Sequence, residues 1–332
     1  MTRPWPAGAA TGIGSLPGTD AGEAVRLVFG ELPDLPHLPE LPARGAGADL
    51  LGRGATLLVD LPVELAASRW TFASRPGRDL RRARDFLARD LDALEVQALG
   101  YVGALKVQAA GPWTLAAGME LRSGHRVITD HGATRDLAAS LAEGLRLHLA
   151  EVAARVPGAR LVVQLDEPSL PAVLGGTVPT PSGWGTVRAV DATVVEDTLR
   201  GVLGSAREGG RVVHCCAADV PIPLLQRAGA DAVALDAALL GDGFHDVLGE
   251  AVDAGLSLWL GVLPSTDATI TLDSAREPIR RLWNTLGFPV SQLAASVVPT
   301  PACGLAGAGQ EYVRRALSVL RDTGRSLLDD SA

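Results

Sequence analysis

The sequence predicts an α/β fold, a single (β/α)8 barrel (TIM barrel) formed by residues 1–332. Three observations carry that expectation. Eight short runs of apolar and β-branched residues recur along the chain, each followed by material with helical periodicity. These runs are apolar on both faces, which suits parallel strands buried between helices. The polar exceptions gather at the C-terminal ends of the runs, where such a barrel carries its active groups. A doubly wound open sheet is the alternative, but it usually has a glycine-rich phosphate turn, and no GxGxxG follows any run.

In chain order the expected strands are Thr11–Ser15, Leu57–Leu61, Leu105–Ala110, Leu161–Asp166, Arg211–Cys216, Ala232–Asp236, Ser257–Leu263 and Leu293–Val298. A helix is expected from a cap at Asp79 to a stop at Gly100, with Leu80, Ala83, Leu87, Leu91 and Leu94 along one stripe. A second runs from Thr134 to Arg155 and stops before Pro157-Gly158. Thr193 to Glu196 has the spacing of a capping box and opens a helix that ends near Gly209-Gly210. Shorter helices fit 221–229, 243–253 and 274–286, and a last one spans about 308–323. Pro33, Pro36, Pro39 and Pro42 force an extended path between them. That segment reads as a stiff loop over one barrel end.

Composition narrows the function. At 332 residues and 47% hydrophobic content the chain can bury a large core. A net charge of −8 without a long basic run argues against nucleic acid or an anionic membrane as partner. Of the 30 basic residues only Lys106 is a lysine. Three cysteines, two of them adjacent, make no disulfide framework and fit a reducing cytosol. The N-terminus has no apolar signal region and no run approaches membrane-spanning length, so a soluble cytoplasmic protein is expected.

The chemistry concentrates at His214-Cys215-Cys216 and at Cys303. On a strand, residues i and i+2 share a face, so His214 and Cys216 point inward and Cys215 toward the helices. With Cys303 from a second strand end they form an N, S, S set suited to zinc, Zn2+. The fourth position falls to Asp236, water or a substrate atom. The competing reading is a pair of small buried thiols beside a structural histidine. His37, His125, His131, His148 and His245 read as surface or structural residues. Asp166 and Glu167 end the fourth run, where adjacent carboxylates need partners or a ligand, and a substrate amine would satisfy Asp166. The Ile13-Gly14-Ser15 turn offers backbone N–H groups and a hydroxyl to an anion. Glu64 is a second candidate amine partner, and Lys106 reads as part of an ion pair inside the barrel.

Together, Ile13-Gly14-Ser15-Leu16-Pro17, Lys106 with Gly111-Pro112 and Thr114, Gln164 to Pro168, His214 to Cys216, and Cys303-Gly304-Leu305 resemble the C-terminal catalytic barrel of cobalamin-independent methionine synthase. The resemblance covers nearly the whole chain. It implies a zinc held by His214, Cys216 and Cys303, with Asp236 in the place of the family's glutamate ligand, one methylene shorter. It also implies that Asp166 binds the amine of homocysteine and that Ile13 to Ser15 bind its carboxylate, with Glu64 as the second amine-binding carboxylate. The full-length family enzyme has an additional N-terminal barrel and takes its methyl group from a polyglutamylated folate. The sequence has no counterpart of that half, so the expected donor is another methylated small molecule or a methyl-corrinoid, free or on a carrier protein. The expected function is zinc-dependent methyl transfer to the thiol of homocysteine. A related barrel acting on another thiol such as coenzyme M, or a protein with a structural zinc, are the alternatives.

Overall fold

The computed structural model describes residues 3–206 and 209–331. Its strands are β1 (Val63–Ala66), β2 (Arg69–Phe72), β3 (Gly103–Ala110), β4 (Ala159–Asp166), β5 (Gly210–Cys215), β6 (Ala232–Asp236), β7 (Ser257–Leu263) and β8 (Val297–Pro301). β3 to β8 form one parallel six-stranded sheet in sequential order, with helices in the connections. The fold is thus α/β with six regular parallel strands. Five of the expected strands appear within two residues of their expected starts.

The other three differ. Thr11–Ser15 makes no regular ladder, because the segment it meets is the proline-rich one. Thr11 N–H donates to Pro299 of β8, Leu16 N–H to Glu40, and Leu38 N–H to Lys106 of β3. The segment 36–41 is therefore no loop over a barrel end: it lies between the N-terminal segment and the edge of β3. Pro36 and Pro39 have no N–H to give, so pairing is reduced to isolated bridges at Ser15–Glu40 and His37–Lys106. Leu57–Leu61 is not a strand. Its first residues close the helix Leu50–Thr56, which Asp49 caps by accepting from Gly52 N–H. The run Leu293–Val298 divides into a single helical turn, Leu293–Ser296, and the start of β8.

The helices follow the periodicity, with corrected caps. Arg78–Gln97 starts from Gly77, with Asp79 in its first turn. His131–Arg155 is capped by Asp130, and Ala192–Leu203 by Asp191, which accepts from Thr193 N–H in place of a Thr193–Glu196 box. Leu272–Leu286 carries a reciprocal Thr271–Ser274 box. The helices Ala21–Glu31, Pro112–Gly118 and Leu170–Gly175, and the antiparallel β1–β2 hairpin, were not expected from the sequence.

Two apolar layers flank the sheet. Val107, Val163, Val213, Cys215, Leu235 and Leu258 pack outward beneath the helices. Val162, Val212, Ala234, Trp259 and Val298 pack inward with Trp5, Ile13 and Leu35. Trp5 meets Trp259 edge-to-face at 5.2 Å, and a Cβ on Gly210 would lie 2.6 Å from the Trp5 ring. Trp5 therefore fills the inner space beside the start of β5. The other end of the strands is left to polar groups.

Candidate active site

Register places the key residues side by side. Ala110 of β3 pairs with Asp166 of β4, and Asp166 with His214 of β5. His214 Nδ1 lies 2.8 Å from Asp166 Oδ1, and Gln164 Nε2 donates to the same oxygen at 2.8 Å. With Nδ1 engaged, the imidazole presents Nε2 to the interior. That nitrogen is buried and, among the described residues, has no hydrogen-bond partner. Cys216 follows β5 and Cys303 follows β8, and their sulfurs stand 3.2 Å apart. The three ligand atoms of His214, Cys216 and Cys303 lie within 4.8 Å of one another. An orphaned imidazole nitrogen facing two sulfurs fits a zinc ion, whose borderline softness suits N and S donors. The carboxylate behind the histidine is the usual second partner of such a ligand.

Cys215 points the other way. It is fully buried among outward-facing residues, and burial pushes its thiol up to about 12. The Cys216 hydrogen bond lowers the Cys303 thiol against its burial, with the His214 imidazole adding to the effect, and the same bond raises Cys216. Burial opposes charge on His214, but the Asp166 hydrogen bond and the adjacent Cys303 lift it to about 9.

The cluster opens on a cavity of about 230 Å3, also lined by Ile13, Gly14, Ser15, Glu40 and Asp166. The fit is close at its rim: a Cβ on Gly304 would fall 2.0 Å from Ser15 Oγ. Glu40 is the residue that sequence reasoning missed. It lies in the proline-rich segment, and its backbone bridges Ser15 while its side chain is buried. Burial raises its carboxyl and Asp166 raises it further, against Arg53, whose Nε sits 3.3 Å from Glu40 Oε1. Arg53 also binds Asp90 at 2.6 Å, so the arginine is shared between two carboxylates. The signal available in the sequence was an acidic residue inside an apolar, proline-spaced run.

Two expected site residues are not brought in. Asp236 is outside the metal cluster, and its carboxylate accepts from Ala238 N–H at 2.9 Å to cap the next turn. Glu64 stands exposed on the β1–β2 hairpin and does not line the cavity. Glu167 is fully buried and faces the helix Pro112–Gly118. It accepts from Trp113 N–H, Thr114 N–H and the Thr114 hydroxyl at 2.7 to 3.0 Å, which pins that helix behind the site. Gly111 is needed there, since a Cβ would lie 2.3 Å from Glu167 Oε1.

Residues 8–326 match the family model for the cobalamin-independent synthase catalytic domain. The chain belongs to that family. It is a family of methyltransferase enzymes, and the site described here sits where β4, β5 and β8 end. By sequence, no curated protein matches the chain. Among solved structures, the fold is similar to a B12-independent methionine synthase from Shewanella sp. W3-18-1 in complex with selenomethionine. That match has a TM-score of 0.64 at 15% identity and covers 98% of this chain and 99% of the other. A methyltransferase from Methanosarcina mazei follows with a TM-score of 0.57 at 14% identity, covering 97% and 94%. Among the described residues no helix is long and apolar enough to cross a membrane.

Proposed function

We propose that the protein transfers a methyl group to the thiol of homocysteine, with zinc held by His214, Cys216 and Cys303. The observation that carries this reading is the orphaned His214 Nε2 facing two sulfurs at the floor of a cavity that also holds two carboxylates. When bound, zinc would supply the positive charge that keeps the acceptor thiol deprotonated near neutral pH. Three protein ligands leave a position for that thiol, where a structural site would be closed by four. Asp166 holds His214 in the tautomer that presents Nε2. Glu40 and the second oxygen of Asp166 would take the substrate ammonium, and the Ile13–Ser15 turn its carboxylate. Held at both ends, the amino acid presents its sulfur in one orientation to the donor carbon.

The selenomethionine bound in the Shewanella structure is chemically a methylated amino acid of this kind, which supports the reading. Coenzyme M would bring a sulfonate beside two carboxylates, an arrangement that like-charge repulsion disfavours. A second cavity of about 550 Å3 is lined by chain neighbours of residues at the first. Asp49, Leu51 and Ser169 line it, while Leu50 and Pro168 face the thiol site. We assign it to the methyl donor, a methylated small molecule or a methyl-corrinoid with or without its carrier.

X-ray absorption of the zinc-loaded protein with and without homocysteine tests the proposal. A new sulfur neighbour is expected on addition of the amino acid. An unchanged shell would make the site structural.

A further inference from the structure

We propose that Lys106 is a positioning residue that sets both ends of the amino-acid clamp from beneath the cavity. This inference rests on the functional reading above and extends it to a residue outside the cavity. The sequence supplies the first argument. Arginine fills every other basic position, yet this one, fully buried in β3, is lysine. An ammonium is a compact point charge with three freely aimed donors, whereas a guanidinium is a wide planar fork. The position has room and partners for the former.

Those partners are neutral. The expected ion pair is not there: among the described residues no carboxylate oxygen lies within 4.0 Å of Lys106. Nζ donates instead to the Ile13 carbonyl at 2.6 Å and to Gln164 Oε1 at 2.8 Å. Each bond leads to one end of the clamp. Gln164 passes its own Nε2 to Asp166 Oδ1 at 2.8 Å and to the Ile13 carbonyl at 2.9 Å. With His214 also on Oδ1, the other oxygen of Asp166 is left for a substrate amine. In a trans peptide the C=O and N–H point to opposite sides. Anchoring the Ile13 carbonyl to Lys106 therefore fixes the Gly14 N–H on the side away from the lysine. Among the described residues, neither Gly14 nor Ser15 N–H has a backbone acceptor.

The spacing by Gln164 matters. A lysine bonded directly to Asp166 would neutralise the carboxylate meant for an ammonium. Interposing an amide holds the carboxylate in place and leaves its charge for the ligand. Burial pushes the Lys106 amine down to about 7, and the fields of Asp166 and Glu40 act in the opposite direction.

Calorimetry on the zinc-loaded protein tests the inference without a known donor. Four thiols are compared: homocysteine, 4-mercaptobutyrate without the amine, 3-mercaptopropylamine without the carboxylate, and 1-propanethiol with neither. In Lys106→Met, homocysteine binding should weaken about 10- to 100-fold, each truncated acid or amine by a smaller factor, and propanethiol not at all. Gln164→Leu should weaken the amine-bearing thiols more than 4-mercaptobutyrate. It stands as the second variant should Lys106→Met fail to fold. Equal weakening of all four thiols would assign Lys106 to general stability and overturn the proposal, as would an unchanged preference for homocysteine. A wild-type protein that binds homocysteine no better than propanethiol would sink the proposed acceptor together with this inference. Loss of preference confined to the variants separates the two.

Discussion

The two halves of the site are built differently. The half we propose for the metal comes from the ends of β4, β5 and β8, where regular parallel pairing sets Asp166 beside His214. The half we propose for the substrate's amino and carboxylate groups comes largely from residues 13–15 and 40, in segments that make only isolated bridges. Regular strands spend their backbone groups on neighbours and offer side chains. Irregular ones keep backbone N–H groups free, which is what an anion needs. Proline at 36 and 39 and glycine at 14 are thus consistent with the task, not flaws in a ladder. Lys106, on the edge strand beside residue 37, joins the two halves.

The largest effect should come from breaking the strand-borne half. Cys216→Ser or Cys303→Ser removes one of the three proposed ligands, and zinc affinity should fall by about 100-fold or more, measured by competition with a chelator. Methylation of homocysteine should disappear with it. A variant that lost zinc and kept methylation would end the proposed mechanism. Next comes the residue that serves both halves. Asp166→Ala should weaken zinc about 10- to 100-fold through His214 and weaken homocysteine as well. Glu40→Gln sharpens the contrast. It should weaken homocysteine about tenfold while leaving zinc affinity as it was. If Glu40→Gln lowered zinc affinity as much as Asp166→Ala, the division between the halves would be false.

How much of this was legible in the sequence follows the same division. β6 and β7 were read to the residue, and His214 and Cys216 were placed on one face, because apolar runs and the two-residue period need no tertiary information. Cys303 required only that two strand ends converge. Glu40 was not legible. Proline spacing describes an extended path but not what lies alongside it, and the neighbours here are distant in sequence: Ser15 beside Glu40, and Lys106 beside His37. Asp236 sits at the expected strand end, yet its carboxylate turns to its own helix turn, a local competition that periodicity cannot resolve. Leu57–Leu61 failed because a short apolar run at a helix C-terminus looks the same as a buried strand.

A smaller effect should separate the scaffold from both halves. Glu167 is held above the ordinary carboxylate range, at about 7, because burial outweighs the donors from Trp113 and Thr114. The native state therefore keeps its proton between about 4.5 and 7 while the unfolded chain releases it, and stability falls as pH rises through that window. Glu167→Gln should flatten this slope in thermal melts taken across the window. An unchanged slope would assign it to other groups.

Glu64→Gln should do least of all. The side chain is exposed on a hairpin whose turn, at Ala67 and Ser68, has both residues at positive φ, the geometry of a tight two-residue connection. It does not line the cavity and is exposed, so stability should change by no more than about 0.5 kcal/mol. Zinc and homocysteine affinities should match the wild type in the same titrations used for Glu40→Gln. Were homocysteine to weaken tenfold, the hairpin would have to fold over the cavity when substrate binds, and Glu64 would join Glu40 as an amine partner. The pair of variants thus decides whether the irregular half of the site ends at residue 40 or reaches the hairpin.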